Sequence, residues 1–310
     1  MGRNVSKLYY PMAQAIASIL PLVDEFVVAL GAGDPDDTTR EDIEALGSPK
    51  IRIIDTEWDL EKFPRGMENA HQTDIAMQHC QGDWLFYLQA DEVVHEEDHD
   101  SIRNQCEKYL NDPEVEGFVF DYLHFWGDFQ HVHRTHNWYK REIRIVRNRE
   151  DIHSWRSAQS FRVMPDFDGL NYQRRENIRK LKVAPAQARI FHYGWVRPPH
   201  LMRQKKKALD TIHHGAERVA QMRQHAPKNF DYGPLQMIPR YQGSHPRVMK
   251  EWMAQFDWGD KLQYHGPPDH RRAPYKHEVP KYRLLALIEQ NLLGGRTLGG
   301  VKNYRLVRRD

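Results

Sequence analysis

Gly82-Asp-Trp-Leu-Phe-Tyr-Leu-Gln-Ala-Asp-Glu-Val-Val-His95 combines an apolar aromatic run, residues 84–88, with an abrupt acidic end. The turn pair Gly82-Asp83 bounds the run, as expected of a strand buried on both faces of a mainly parallel sheet. Asp91 and Glu92 follow at its C-terminal end, where open α/β sheets hold their ligands in the crevice beyond the strands. Carboxylates there suit a divalent metal, and a metal suits a phosphate-bearing substrate. The plainer reading is a strand followed by a helix with an acidic first turn. From this stretch alone the two stand level.

Upstream, residues 67–80 carry helical periodicity through Ala70, Ile75, Ala76 and His79. Residues 50–55 and 25–30 read as strands, and residues 40–46 as a helix between them, closed by Gly47. Pro11 opens and Pro21 closes a short amphipathic helix over 12–20. Helix and strand therefore alternate three times before Asp91, which predicts parallel βαβ units in a doubly wound sheet. Loops after such strands converge on one edge, so Asp34, Asp36, Asp55 and Asp91 are expected to share a cleft.

Downstream, a polar helix is expected over 96–110 and a strand over 115–123, running into the aromatic loop 122–127. Residues 138–149 alternate charged and apolar side chains with a strongly basic face. Arg141, Arg144 or Arg147 could recognise an anion there, although a solvated strand face is slightly the better reading. A short strand over 188–193 precedes Pro198-Pro199, which breaks the chain. Beyond it come a basic helix over 201–224, a helix over 248–256 and a leucine-rich helix over 281–293. The expected layout is an α/β domain over 1–198 and a helical extension over 199–310.

With 310 residues the chain can bury a sizeable core, and a net charge of +2 gives no ground for a polyanion partner such as nucleic acid. Two cysteines, Cys80 and Cys106, are too few for a disulfide scaffold or a cysteine zinc site, which favours a reducing compartment. No apolar run approaches a membrane span. A cytoplasmic location is expected, at the inner face of the membrane if the leucine stripe near 284–292 docks on lipid. The 18 histidines are mostly scattered singly, so none is assigned to a metal without an acidic partner.

In this order the residues resemble family 2 glycosyltransferases, nucleotide-sugar-dependent enzymes with the Rossmann-like GT-A fold. The resemblance covers roughly residues 3–195. Its sharpest part is Gly82 to Glu92, which looks like the strand leading into that family's Asp-x-Asp metal motif; residues 23–28 with the loop through Asp36 and Thr38 look like its second strand and following helix. The resemblance implies Mn²⁺ or Mg²⁺ on Asp91 and His192, with the metal neutralising a diphosphate leaving group. It implies a donor contact by Asp36, Arg65, Gln89 and Glu92, and an acceptor side lined by Trp126, Trp138, Arg144 and Gln159. The sequence departs from the pattern in three places: Gln89 replaces the first acid, Gly31 stands where many relatives carry a base-contacting Asp, and the family's first strand has no counterpart before Arg3-Asn4.

An inverting transferase also needs a carboxylate base on the acceptor hydroxyl. Relatives carry it around residues 157–161, where this chain has none, so Glu142, Asp151 and Asp121 are the nearest candidates. The expected activity is transfer of a sugar from a nucleotide-diphosphate donor to a glycan, lipid-linked or protein acceptor. A non-catalytic glycan- or nucleotide-binding protein of the same fold is the alternative. A basic interaction protein acting through residues 200–310 ranks below both.

Overall fold

β-branched and apolar residues alternate with helix-forming stretches through the first third of the chain, and the computed structural model follows that order. It describes residues 1–136, 138–222, 227–294, 297–299 and 302–307. Helices α1 (Met12–Ile19), α2 (Thr39–Glu44) and α3 (Met67–Gln78) alternate with strands β1 (Phe26–Gly31), β2 (Ile51–Thr56) and β3 (Trp84–Phe86). β1 and β2 pair in parallel from Phe26↔Ile51 to Gly31↔Thr56.

The expectation of one mainly parallel sheet does not hold. β3 pairs antiparallel with β7 (Arg141–Arg147), not with β1 or β2. It is the edge of a mixed seven-stranded sheet, which also contains β4 (Glu92–Val94), β5 (Gly117–Trp126), β6 (Val132–His133), β11 (Lys182–Trp195) and β12 (Arg305–Leu306). Within it, β5–β11 and β11–β12 are parallel, while β4–β11, β5–β6, β5–β7 and β3–β7 are antiparallel. Among the described residues the connection from β5 to β7 carries only the short β6 and no helix, which favours antiparallel return over a crossover. A third sheet, β8 (Ile152–Trp155), β9 (Ser160–Val163) and β10 (Arg179–Lys180), follows β7.

The polar helix after Glu96 begins with a 3₁₀ turn over Glu96–Asp98 and continues as α4 (His99–Lys108). The expected strand over 188–193 is the C-terminal half of the much longer β11. The basic helix is divided at Gly215, whose φ of +81° ends α5 (Pro199–His214) before α6 (Ala216–Met222); its expected end at 223–224 lies outside the described residues. Short helix α7 (Lys250–Ala254) and α8 (Pro280–Asn291) follow. The later segments pack on the sheet: Phe125 and Phe191 share one apolar cluster with Leu235, Met249 and Trp258, and Trp258 Nε1 donates to the Gly127 carbonyl oxygen at 3.0 Å.

Between β1 and β3 lies a cavity of about 320 Å³. Val28 and Leu85 line it from the two strands, Ala76 from α3, Ile16 and Ile19 from α1, and Ile102 from α4.

Candidate functional site

The turn from β3 to β4 sorts its two acids. The Glu92 N–H donates to the Gln89 carbonyl oxygen at 3.0 Å, closing the turn, and β4 then sends successive side chains to opposite faces. Glu92 goes inward. It is fully buried and accepts from Arg144 Nε and Nη2 at 2.7 Å each, and from the Tyr122 hydroxyl at 2.9 Å. Arg144 reaches it because β7 bulges there: Phe118 opposes Ile145 but Val119 opposes Ile143, leaving Arg144 as the extra residue. The guanidinium is sandwiched between the rings of Tyr87 and Tyr122, 5.2 and 5.4 Å from their centroids.

Asp91 faces a different set. Its Oδ2 accepts from Lys205 Nζ of α5 at 2.9 Å and lies 3.8 Å from His192 Nε2 of β11. Burial alone would raise the Asp91 carboxyl, but Lys205 and His192 overcome it and hold the group below the usual carboxylate range. Lys205 is itself buried, donates also to the Gly194 carbonyl oxygen at 2.7 Å, and is drawn down to about 8, first by burial and then by Arg197. Arg197 is fully buried. Its Nη1 donates to the Leu8 carbonyl oxygen at 2.6 Å, while Nε and Nη2 find no hydrogen-bond partner among the described residues. Both cations lie over the ring of Tyr10, 4.5 Å for Arg197 and 4.7 Å for Lys205.

A chain of histidines fixes the protonation of this site. His124 Nε2 lies 2.8 Å from the Tyr139 carbonyl oxygen, which can only accept, so that nitrogen carries a proton. Burial pushes His124 down to about 3 and His192 to about 4, so both rings are neutral at pH 7. His124 Nδ1 must then accept from His192 Nδ1–H across 3.0 Å. His192 Nε2 is left as a bare lone pair facing the Asp91 carboxylate. Two acceptors facing each other call for a cation between them. Gly194 keeps that space open, since a Cβ there would come within 2.6 Å of both Asp91 Oδ2 and His192 Nε2.

Asp91 and His192 thus supply one oxygen and one nitrogen to a common point. Among the described residues no cluster of three or more metal-ligating side chains occurs. Two protein donors suit Mg²⁺ or Mn²⁺ only where water and substrate phosphates complete the coordination. Lys205, on the same carboxylate oxygen, is the alternative cation.

The remaining expected site residues fall in several places. Gln89 is half-buried, and its amide nitrogen is 3.4 Å from both the Tyr87 hydroxyl and the Ala158 carbonyl oxygen. Exposed Gln159 follows Ala158 in the β8–β9 turn, next to Gln89. Trp138 is half-buried, stacked on His133 at 4.3 Å and edge-on to His124 at 4.9 Å. Asp36 is exposed and held with Asp34 by Lys7, at 2.6 and 2.8 Å, while Asp55 pairs with Arg40. The acids expected to share a cleft with Asp91 are thus each engaged elsewhere. Arg65 is exposed just before α3, and its carbonyl oxygen accepts from Gln173.

Five residues depart from the sequence expectation. Trp126 does not line an open surface: it is buried, stacked on Trp195, with Nε1 donating to the Tyr232 carbonyl oxygen. Arg144 and Glu92 are buried and pair with each other in the interior. Asp151 lies at the wrong end of the sheet. β7 runs antiparallel to β3, so residues beyond Arg147, which opposes Trp84, emerge at the end remote from Asp91; there Asp151 pairs with Arg149. Asp121 is exposed and bound to Arg141.

Glu142 sits at the opposite end of β7, the end nearer Asp91. It is buried beside Asn303, whose Nδ2 donates to Oε2 at 3.1 Å, and burial raises its carboxyl to about 7. Sequence reasoning passed over Arg197, Lys205, His124 and Gly194. A usable signal for Lys205 was its spacing three residues after Met202, which put one lysine of a basic run on the buried face of α5. The chain matches no protein-family model and no curated protein.

Proposed function

We propose that this chain is a glycosyltransferase, moving a sugar from a nucleotide-diphosphate donor to a glycan, lipid-linked or protein acceptor. The observation that carries the reading is the buried cluster of Asp91, His192, Lys205 and Arg197 at the end of the β3–β4 turn. There a histidine lone pair and a carboxylate face one point, beside Lys205, which already bonds that carboxylate, and beside Arg197, whose Nε and Nη2 have no partner among the described residues. A buried guanidinium with unspent donors suits an anion, and a diphosphate supplies oxygens for it. Asp91 and His192 would hold Mn²⁺ or Mg²⁺, which when bound would neutralise charge on the leaving diphosphate. Lys205 and Arg197 bind and orient the same phosphates. Gln89 and Gln159 can contact sugar or ribose hydroxyls, and Glu142, with a carboxyl near 7, has the proton affinity of a general base for the acceptor hydroxyl.

The test is thermal unfolding with Mn²⁺ and uridine or guanosine diphosphate. At a ligand concentration 100 times Kd the stabilisation is about 2.7 kcal/mol. Asp91→Ala is expected to abolish it, and an equal shift in the variant refutes the site. A second reading, a binding module without turnover, is favoured by the absence of an acid in the turn carrying Gln159. Released nucleoside diphosphate from a panel of nucleotide sugars separates the two: turnover lost in Asp91→Ala supports the enzyme, and binding with no turnover supports the module.

A further inference from the structure

We propose that Lys205 is a tethered counter-ion that a divalent cation must displace from Asp91, and that this exchange releases helix α5 from the cleft it crosses. The inference rests on the Asp91 and His192 metal reading above, and it adds the competitor for that cation and the element that moves.

Two cations claim one atom. Lys205 Nζ donates to Asp91 Oδ2 at 2.9 Å, and the same Oδ2 faces the His192 Nε2 lone pair across 3.8 Å. The second bond of the ammonium, to the Gly194 carbonyl oxygen at 2.7 Å, holds it beside the gap that the missing Gly194 Cβ leaves open. An ammonium and a divalent ion on one buried carboxylate oxygen repel each other with little screening. Lys205 therefore gives way when the site fills. It has no retreat inward, because its ammonium and the Arg197 guanidinium already lie over the same Tyr10 ring, at 4.7 and 4.5 Å. The route left is outward, with the helix.

The packing of α5 permits that movement. Its first turn is fixed: the Pro199 carbonyl oxygen accepts from Phe230 N–H at 2.9 Å, and Met202 is fully buried. Beyond Lys205, α5 buries no further residue through His214, so the ion pair is the last anchor along the helix. The distal part nevertheless spans the cleft. A Cβ on Gly66 would come within 2.6 Å of His213 Cε1 and 2.7 Å of Ser157 Cβ, so His213 rests where the start of α3 meets the β8–β9 turn. From Lys205 to His213 is about 12 Å of helix. That stretch lies between Asp91 at one end and Arg65, with the turn carrying Gln159, at the other. With its charge no longer spent on Asp91, Lys205 is free to take a phosphate oxygen, the role assigned to it above.

The experiment measures amide exchange of the full chain with and without Mn²⁺, at fixed pH and ionic strength and with no nucleotide present. Mn²⁺ affinity is measured by electron paramagnetic resonance for the wild type and Lys205→Met. Exchange over residues 206–214 is expected to rise about tenfold on adding Mn²⁺ while β5 and β11 stay unchanged. A latch open about one-tenth of the time weakens wild-type binding about tenfold, so Lys205→Met should bind Mn²⁺ tighter by that factor. Asp91→Asn should exchange fast over 206–214 without metal and show no response to it. Unchanged exchange in the wild type at saturating Mn²⁺ overturns the proposal, and this arm needs no substitution to fold. Equal or weaker affinity in Lys205→Met overturns it too. If Mn²⁺ binds at Asp91 and α5 stays protected, the exchange alone is refuted and the metal reading stands; if neither protein binds Mn²⁺, both fall.

Discussion

Replacing Asp91 with asparagine keeps the shape of the β3–β4 turn and removes one charge, leaving Lys205 and Arg197 buried with no carboxylate between them. Breaking a buried pair on one side costs about 3–5 kcal/mol, which for a chain of this length corresponds to a Tm fall of about 6–10 °C. The pH dependence is diagnostic. Lys205 titrates near 8 in the folded chain against 10.5 for a free lysine, so the unfolded chain binds the proton more tightly between those values and stability gains as pH rises across that window. Without Asp91 the folded value drops further, and the variant sheds the ammonium earlier. Its deficit should therefore be larger at pH 7 than at pH 9. Asp91→Asn combined with Lys205→Met removes both charges and should recover most of the loss, since a neutral apolar replacement of a buried pair is often tolerated. Unfolding curves of the wild type, both single variants and the double variant provide the cycle. A single variant within about 1 kcal/mol of wild type, or a double variant as unstable as the sum of the singles, refutes the coupling.

Two further outcomes follow from other groups. Glu142 titrates near 7 folded against 4.5 free, so its carboxyl contributes stability below pH 4.5 that is lost as pH rises to 7; Glu142→Gln should flatten this slope and gain about 2–3 kcal/mol at pH 8 in equilibrium unfolding. On α8 and at its C-cap, Leu284, Leu287 and Leu292 are exposed beside Lys281 and Arg283, and the one acid in residues 279–307, Glu289, is buried against His136 and Lys140. Co-sedimentation with phosphatidylglycerol vesicles is expected to fall about tenfold in Leu284→Glu/Leu287→Glu, and unchanged sedimentation would discard membrane contact.

The first third of the chain was legible because its elements are local: proline and glycine punctuate α1 and α2, and β-branched runs mark β1 and β2. The direction of β3's neighbour was not. Nothing in residues 141–147 says whether they run with or against residues 84–86; that depends on how residues 127–140 return, and a connection without a helix leaves no periodic trace. β8 and β9 went unnoticed because each spans four residues, too few for alternation to stand out. Asp91 stands out by its position at a strand end and His192 only through the family resemblance, and the structure brings them within 3.8 Å. Glu92 and Arg144 were read as ligand contacts because charge in a sequence does not reveal its partner. Their pairing depends on a bulge that appears only once β5 and β7 are aligned.

Gly194 has a consequence for inheritance of the site. No helix cap or left-handed torsion demands a glycine there, since its φ is not among the positive values. What demands it is the gap between Asp91 and His192. An alanine at this one position would leave the strand's backbone free to form and put a methyl group within 2.6 Å of both Asp91 Oδ2 and His192 Nε2. Among descendants of this chain, loss of the proposed site is a single-letter change that retains Asp91, His192, Lys205 and Arg197.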